Sequence, residues 1–113
     1  MIAVLFGLQG LSQQDSSIVK LLNPDGVARP NGYSHVAVIE LGTSTMLILS
    51  GQVPLDKNGV LIGKDDMGKQ ATQVFRNIKT IIESEGGTMN DIVKLSYFIL
   101  DVTQKNNEID RGW

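Results

Sequence analysis

The chain contains no cysteine and only one histidine among its 113 residues. The missing cysteine excludes disulfides, thiolate catalysis and cysteine-built metal sites within this chain. The single histidine likewise excludes a metal site made of several histidines. Because cysteine is absent, its usage gives no indication of the cellular compartment. Any chemistry of this chain must therefore use other side chains or the main chain.

Neither sign of charge is in large excess, since 10 basic and 12 acidic residues leave a net charge of -2. This balance gives no electrostatic reason to expect DNA, RNA or an acidic membrane as a partner. An apolar fraction of 42% and a charged fraction of 19% suit a single globular domain. Twelve glycines favour several short elements joined by turns over a helical bundle.

Long apolar runs are missing too, because the run that opens the chain ends at Leu11. A bilayer-spanning helix needs about 20 apolar residues. Residues 1–14 fit the remnant of a signal peptide that has lost its basic start, which would make the protein exported. They also fit a short buried strand or helix, or a disordered tail. Residues 15–113 are interpreted as one domain.

The first half of that domain carries strand patterns. Residues rich in β-branched side chains predict strands over 16–22, 35–41 and 45–50. The tight connection at residues 42–44 makes the last two a β-hairpin. Residues 56–59 (DKNG) predict a further hairpin-type turn, followed by a short apolar run.

The second half changes period. Apolar residues recur at spacings of three and four from Ala71 to Ile82, which predicts an amphipathic helix. Asp65 or Asp66 can cap its start, and Gly86 follows its end. Residues 92–102 alternate as a strand would, and a second helix is predicted from Gln104. The order of elements predicts an α+β fold, with a mostly antiparallel sheet and helices on one face.

Residues 63–70 (GKDDMGKQ) approach the phosphate-loop pattern G-x-x-x-x-G-K-[ST]. The segment ends in Gln70, which lacks the hydroxyl that the pattern offers to Mg²⁺. Asp65 and Asp66 would also repel phosphate. We therefore interpret the segment as a capped helix start.

Several motifs occur together in a fixed order: NGYSHVAV at 31–38, LILSGQVP at 47–54, DKNG at 56–59, QATQVFRN at 70–77 and GTMNDIVKLSYFIL at 87–100. Together they resemble the YjgF/Rid family of imine and enamine deaminases. The resemblance covers about residues 18–102 well and residues 103–113 loosely. Ordered motifs at matching spacings are far more specific than any one of them.

The resemblance implies the chorismate-mutase-like YjgF fold, a sheet packed on two helices, with the family's last strands lying beyond this sequence. It implies a homotrimer with pockets between subunits. It also implies hydrolysis of 2-imino acids and enamines to 2-keto acids and ammonia, without a metal or organic cofactor. By family the protein would be cytoplasmic, unless the apolar start is a signal peptide remnant.

The resemblance also nominates site residues. Tyr33 and Ser50 match positions with catalytic roles, and Gly51, Gln52 and Asn107 match substrate-binding positions. Each has a plainer interpretation: an aromatic plug for Tyr33, a strand-end turn for residues 50–52, and a solvated helix residue for Asn107. Ser50 is not expected to be a nucleophile, because no base is identifiable beside it.

His35 stands where many family members have glutamine. A lone histidine near a strand start is more often structural than titrating. The family's carboxylate-gripping arginine and its glutamate stand on later strands, and Arg29, Arg76 and Arg111 do not match that motif. A non-catalytic small-ligand-binding homotrimer or an inactive fragment is therefore the alternative to a deaminase. Neither alternative involves nucleic acid or a membrane.

Overall fold

The computed structural model describes residues 18–99 of the chain. Three strands form an antiparallel sheet in the order β1-β2-β3: Val19–Leu22, Val36–Glu40 and Thr45–Leu49. Helix α1 spans Met67–Ser84, and a short 3₁₀ helix spans Met89–Asp91. The α+β prediction is confirmed. The interpretations of residues 1–14, the helix from Gln104 and Asn107 lie outside the described residues.

The β2–β3 hairpin forms as its sequence predicts. Val36 pairs with Leu49 and Glu40 with Thr45. The connection closes where Leu41 N–H donates to the Ser44 carbonyl at 2.8 Å. On the other side of β2, Val19 of β1 pairs with Ile39. The central strand is therefore paired along both edges, which holds its two ends in place.

Both faces of the sheet are apolar, but only one of them is buried in the core. Val36 and Val38 of β2 and Leu49 of β3 are buried in the core. The opposite face alternates with them along each strand. That outer sheet face consists of Val19, Leu21, Ala37, Ile39, Met46 and Ile48. All six are apolar, and all remain partly or fully exposed in the described part of the chain.

Helix α1 supplies the other half of the core. The predicted apolar stripe is buried, with Ala71, Val74 and Ile81 fully so. Asp66 caps the start, accepting a hydrogen bond from the Lys69 main-chain N–H at 3.0 Å. Gly86 follows the end at a φ of 83°, a left-handed conformation that glycine adopts without steric cost. Both predicted helix boundaries are confirmed.

The phosphate-loop-like segment is a helix start, as interpreted. The Gly63 carbonyl accepts hydrogen bonds from the Asp66 N–H and from the Gln70 side-chain amide, both at 2.9 Å. A Cβ at Gly63 would lie 2.8 Å from the Gln70 main-chain nitrogen. Glycine is needed there because the turn folds directly onto the helix, and no phosphate has to be invoked.

The strand predicted at residues 92–102 is not formed over residues 92–97, which have no strand hydrogen-bond pattern, whereas Phe98 takes part in a β-bridge. Ile92, Leu95 and Ile99 pack against the core, whereas Val93 is 100% exposed. Ile92 and Leu95 lie three residues apart and would point to opposite faces of a strand, yet both pack against the core. The alternation in the sequence was real, but a strand also needs a paired neighbour.

Candidate functional site

The nominated residues that the structure describes lie at one end of the sheet. β2 begins at Val36 and β3 ends at Leu49, and these two residues pair with each other. One step further, the Ser50 main-chain N–H donates to the His35 carbonyl at 2.9 Å. The antiparallel pairing therefore carries the segment before β2 alongside the segment after β3. We call Tyr33, Ser50, Gly51 and Gln52 the site wall.

His35 is the residue that joins the two parts of the site wall. It is only 3% exposed. Its Nε2 lies 2.6 Å from the Ala28 carbonyl oxygen, and its Nδ1 lies 3.2 Å from Nε2 of Gln52. Its main-chain N–H donates to Oδ1 of Asn23 at 2.9 Å. These bonds anchor His35 to the earlier part of the β1–β2 connection and to the segment after β3.

Tyr33 packs against this anchor. Its ring meets the His35 ring edge-on, with centroids 5.5 Å apart and planes at 85°. Such T-shaped pairs are a preferred aromatic geometry. The side chain is nevertheless 49% exposed. An aromatic plug would be largely buried, so this exposure favours Tyr33 as a residue that borders a surface site.

The hydrogen bond of the Ser50 hydroxyl has a defined direction. Its Oγ lies 3.3 Å from the His35 carbonyl oxygen. A carbonyl oxygen can only accept, so the serine O–H donates to it. The oxygen lone pairs of Ser50 are then left as hydrogen-bond acceptors. Ser50 is half-buried, and Gly51 beside it is half-buried as well.

Gln52 contributes to the site wall from inside the protein. It is 3% exposed, and its amide nitrogen donates to the Ser50 carbonyl at 3.2 Å. The same nitrogen faces His35 Nδ1. The observed contacts are thus those of a main-chain and side-chain brace. Substrate binding by Gln52 stays a prediction, as it does for Gly51.

Two buried amides of α1 hold the segment that follows the site wall. Asn77 Nδ2 donates to the Val53 carbonyl at 3.1 Å and to the Leu55 carbonyl at 2.9 Å. Gln73 Nε2 donates to Asn77 Oδ1 at 2.8 Å. Residues 53–55 are therefore tied to the helix. The motif QATQVFRN contained this signal, because amides on an otherwise apolar helix face need buried partners.

A single copy of the chain presents the site wall at an open surface. Two clefts of the described surface lie elsewhere. One lies along the start of α1 and includes Asp66, Lys69 and Arg76. The other lies among loops and includes Arg29 and Lys57. Neither of these two clefts includes Tyr33 or Ser50.

Metal and membrane features can be stated for residues 18–99. In this range no three histidine, aspartate or glutamate side chains cluster as metal ligands would. No helix within the same range has the length and apolar content needed to cross a bilayer. The site wall itself consists of hydroxyl, amide and main-chain groups.

Comparison with known proteins gives a family match. The sequence model of the family described as endoribonuclease L-PSP matches residues 26–113. A RutC family protein of Pyrococcus horikoshii is 37% identical over 65 residues, which cover 56% of this chain and 52% of that protein.

Two bacterial relatives carry an activity in their names. The 2-iminobutanoate/2-iminopropanoate deaminase of Salmonella typhimurium is 39% identical over 69 residues, covering 60% of this chain and 51% of that enzyme. The enzyme of the same name from Escherichia coli is 38% identical over the same length, with the same coverage. The chain thus spans about half the length of the curated relatives it matches. No solved structure matched.

Proposed function

Since the chain belongs to the endoribonuclease L-PSP family, also called the YjgF/RutC family, we propose that its protein is a hydrolytic deaminase of 2-imino acids and enamines. The observation that carries the proposal is the site wall. Tyr33 and Ser50 come from separate motifs, and both contact His35. The bacterial relatives named as 2-iminobutanoate/2-iminopropanoate deaminases support this choice of substrate class.

The reaction needs little beyond positioned polar groups. Water adds its oxygen to the imine carbon, the carbon–nitrogen bond then breaks, and ammonia leaves a 2-keto acid behind. Electrons are neither gained nor lost overall, so the balance requires no redox cofactor. Protons must move from the water to the departing nitrogen, and positioned hydroxyls assist such transfers.

Tyr33 and Ser50 suit those tasks. The half-exposed Tyr33 can offer a phenolic O–H to the substrate or to the water. Ser50, whose proton points to the His35 carbonyl, can accept a hydrogen bond from the imine N–H. In this proposal Gly51 lets the substrate approach the main chain closely, and Asn107 contributes from outside the described residues.

The substrate carboxylate also needs a cationic clamp, for which arginine is the best-suited side chain. Arg29 and Arg76 line the two clefts away from the site wall. The proposal therefore assigns the clamp to neither of them. It concerns the full product of the gene, because the relatives are matched over only about half their length.

We further propose that the protein is a homotrimer in which a neighbouring copy closes the site. The six apolar residues of the outer sheet face support this, because monomers rarely leave such a continuous patch in water. The open position of the site wall supports it as well. A second copy packed on the outer sheet face would lie close to Ser50, which directly follows β3.

RNA cleavage, which the family description names, is not proposed for this chain. Binding to RNA draws most of its affinity from cationic side chains that neutralise phosphates. The net charge of -2 provides no such excess. An RNA substrate can serve as a negative control in the activity test.

The test is ammonia release from 2-iminobutanoate that an amino-acid oxidase generates in the reaction mixture. The full gene product should accelerate release over buffer. Ser50→Ala and Tyr33→Phe should each lower the rate roughly 10-fold or more, the size of one lost hydrogen bond in the transition state. Ser44→Ala, an exposed hydroxyl in the β2–β3 turn, is the matched control.

Absence of acceleration over buffer would refute the deaminase. If the protein then bound a 2-keto acid without turnover, the non-catalytic binder would replace it. Equal rates for wild type and both site variants would place the chemistry away from the site wall.

A further inference from the structure

We propose that His35 and Gln52 are positioning residues that hold Tyr33 and Ser50 in register, and that the His35 imidazole takes no part in proton transfer. This inference rests on the proposed function for its catalytic consequence only. Its structural basis is the set of hydrogen bonds around the His35 ring.

The hydrogen-bond directions around His35 are fixed by its partners. Nε2 faces the Ala28 carbonyl at 2.6 Å, and a carbonyl cannot donate. The proton of a neutral imidazole must therefore sit on Nε2. Nδ1 is left as an acceptor, and it faces the Gln52 amide nitrogen at 3.2 Å. The ring thus has a single satisfied tautomer.

The orientation of the Gln52 amide is likewise fixed by its hydrogen-bond partners. Its nitrogen faces two acceptors, the Ser50 carbonyl and His35 Nδ1, both at 3.2 Å. Rotating the amide by half a turn would place its oxygen against two lone pairs. The amide therefore donates to both groups, and one proton pattern satisfies the whole cluster.

The fixed position of His35 affects the site wall because His35 also contacts Tyr33 and Ser50. The fixed His35 ring is the surface on which Tyr33 packs edge-on. The His35 carbonyl receives both the main-chain N–H and the hydroxyl of Ser50. His35 is 3% exposed and both of its ring nitrogens face protein groups, so neither nitrogen is directed at a ligand. His35 acts on the reaction only through Tyr33 and Ser50.

The tautomer can be read directly from the ring signals of His35, which are identified by their disappearance in His35→Gln. A long-range ¹H–¹⁵N correlation spectrum of the full gene product should show a protonated Nε2 and an unprotonated Nδ1. The opposite tautomer, or fast exchange between the two, would overturn the proposal. This readout does not depend on catalysis.

Gln52→Glu tests the brace with nearly the same shape. A carboxylate cannot donate to Nδ1 or to the Ser50 carbonyl, so the ring pattern and the amide signals of Tyr33 and Ser50 should change. Gln70→Glu is the matched control, because it also removes an amide-to-carbonyl bond, at the start of α1. The control should leave the His35 pattern unchanged. Equal spectra for the two variants would contradict the proposal.

Substitutions of His35 separate positioning from proton transfer. In His35→Gln the amide can donate to Ala28 and accept from Gln52, so kcat/KM should stay within about 3-fold of wild type. His35→Phe keeps a ring for Tyr33 but loses both bonds, and kcat/KM should fall about 10-fold or more. If His35→Gln is inactive while the wild type is active, the positioning role is overturned but the proposed deaminase activity is not. If the wild type is inactive but gives the expected spectra, the deaminase activity is overturned but the positioning role is not.

Discussion

Asn77 is the residue whose hydrogen bonds tie the helix to the segment directly after the site wall. Its amide nitrogen donates to two carbonyls, those of Val53 and Leu55, and its oxygen accepts from Gln73. The side chain is buried. Its loss would take a donor from both carbonyls and the 2.8 Å acceptor from the buried Gln73 amide, which costs free energy. One amide thus fixes the path of the chain just beyond Gln52.

We therefore expect Asn77→Ala to lower the free energy of unfolding by about 1–3 kcal/mol, the cost of losing the hydrogen bonds of a buried amide. Urea denaturation followed by circular dichroism measures this change. Asn90→Ala, at an exposed position of the 3₁₀ helix, is the control and should shift stability by less than about 0.5 kcal/mol. Equal effects of the two substitutions would show that the buried amide bonds contribute nothing.

At the scale of elements, the sequence predicts those elements that depend on local patterns. It does not predict those that depend on long-range contacts. The β2–β3 hairpin and α1 follow from periodicity, turn residues and a capping aspartate, all of which are local. Residues 92–97 do not form the predicted strand, because a strand depends on a partner that alternation alone does not supply. The segment is placed by contacts of Ile92, Leu95 and Ile99 with the core and by the Phe75–Tyr97 ring pair.

The same distinction holds for the candidate site. The ordered motifs nominate Tyr33 and Ser50, and the pairing of β2 with β3 explains why they come together. The sequence predicts a structural His35 but not its partners, because Ala28, Asn23 and Gln52 meet it only in the fold. The bond from Gln52 to a main-chain carbonyl agrees with the plainer interpretation of residues 50–52, whereas the contact of Gln52 with His35 is not predictable from the sequence. Motifs locate a site, whereas hydrogen-bond directions require the structure.

At the scale of the whole molecule, the proposed trimer places the outer sheet face between copies of the chain. We expect Met46→Lys to break the proposed trimer, because the side chain is 45% exposed in one copy but would bury a charge in the assembly. Sedimentation velocity should give the mass of three copies for wild type and of one copy for the variant.

Val60→Lys is the matched control for that experiment. Val60 is also an exposed apolar residue, but it lies in the loop before α1 and not on the outer sheet face. The control should keep the wild-type mass. A single-copy mass for wild type, or three copies for Met46→Lys, would contradict the assembly.

The most direct test of the central claim, that the site wall binds the substrate, is a titration of the ¹⁵N-labelled full gene product with 2-ketobutanoate, the stable product of the proposed reaction. Amide signals should move in a saturable way at Tyr33, Ser50 and Gly51, while signals along the start of α1 stay in place. Saturable shifts confined to another surface, or none at the site wall, would contradict the account.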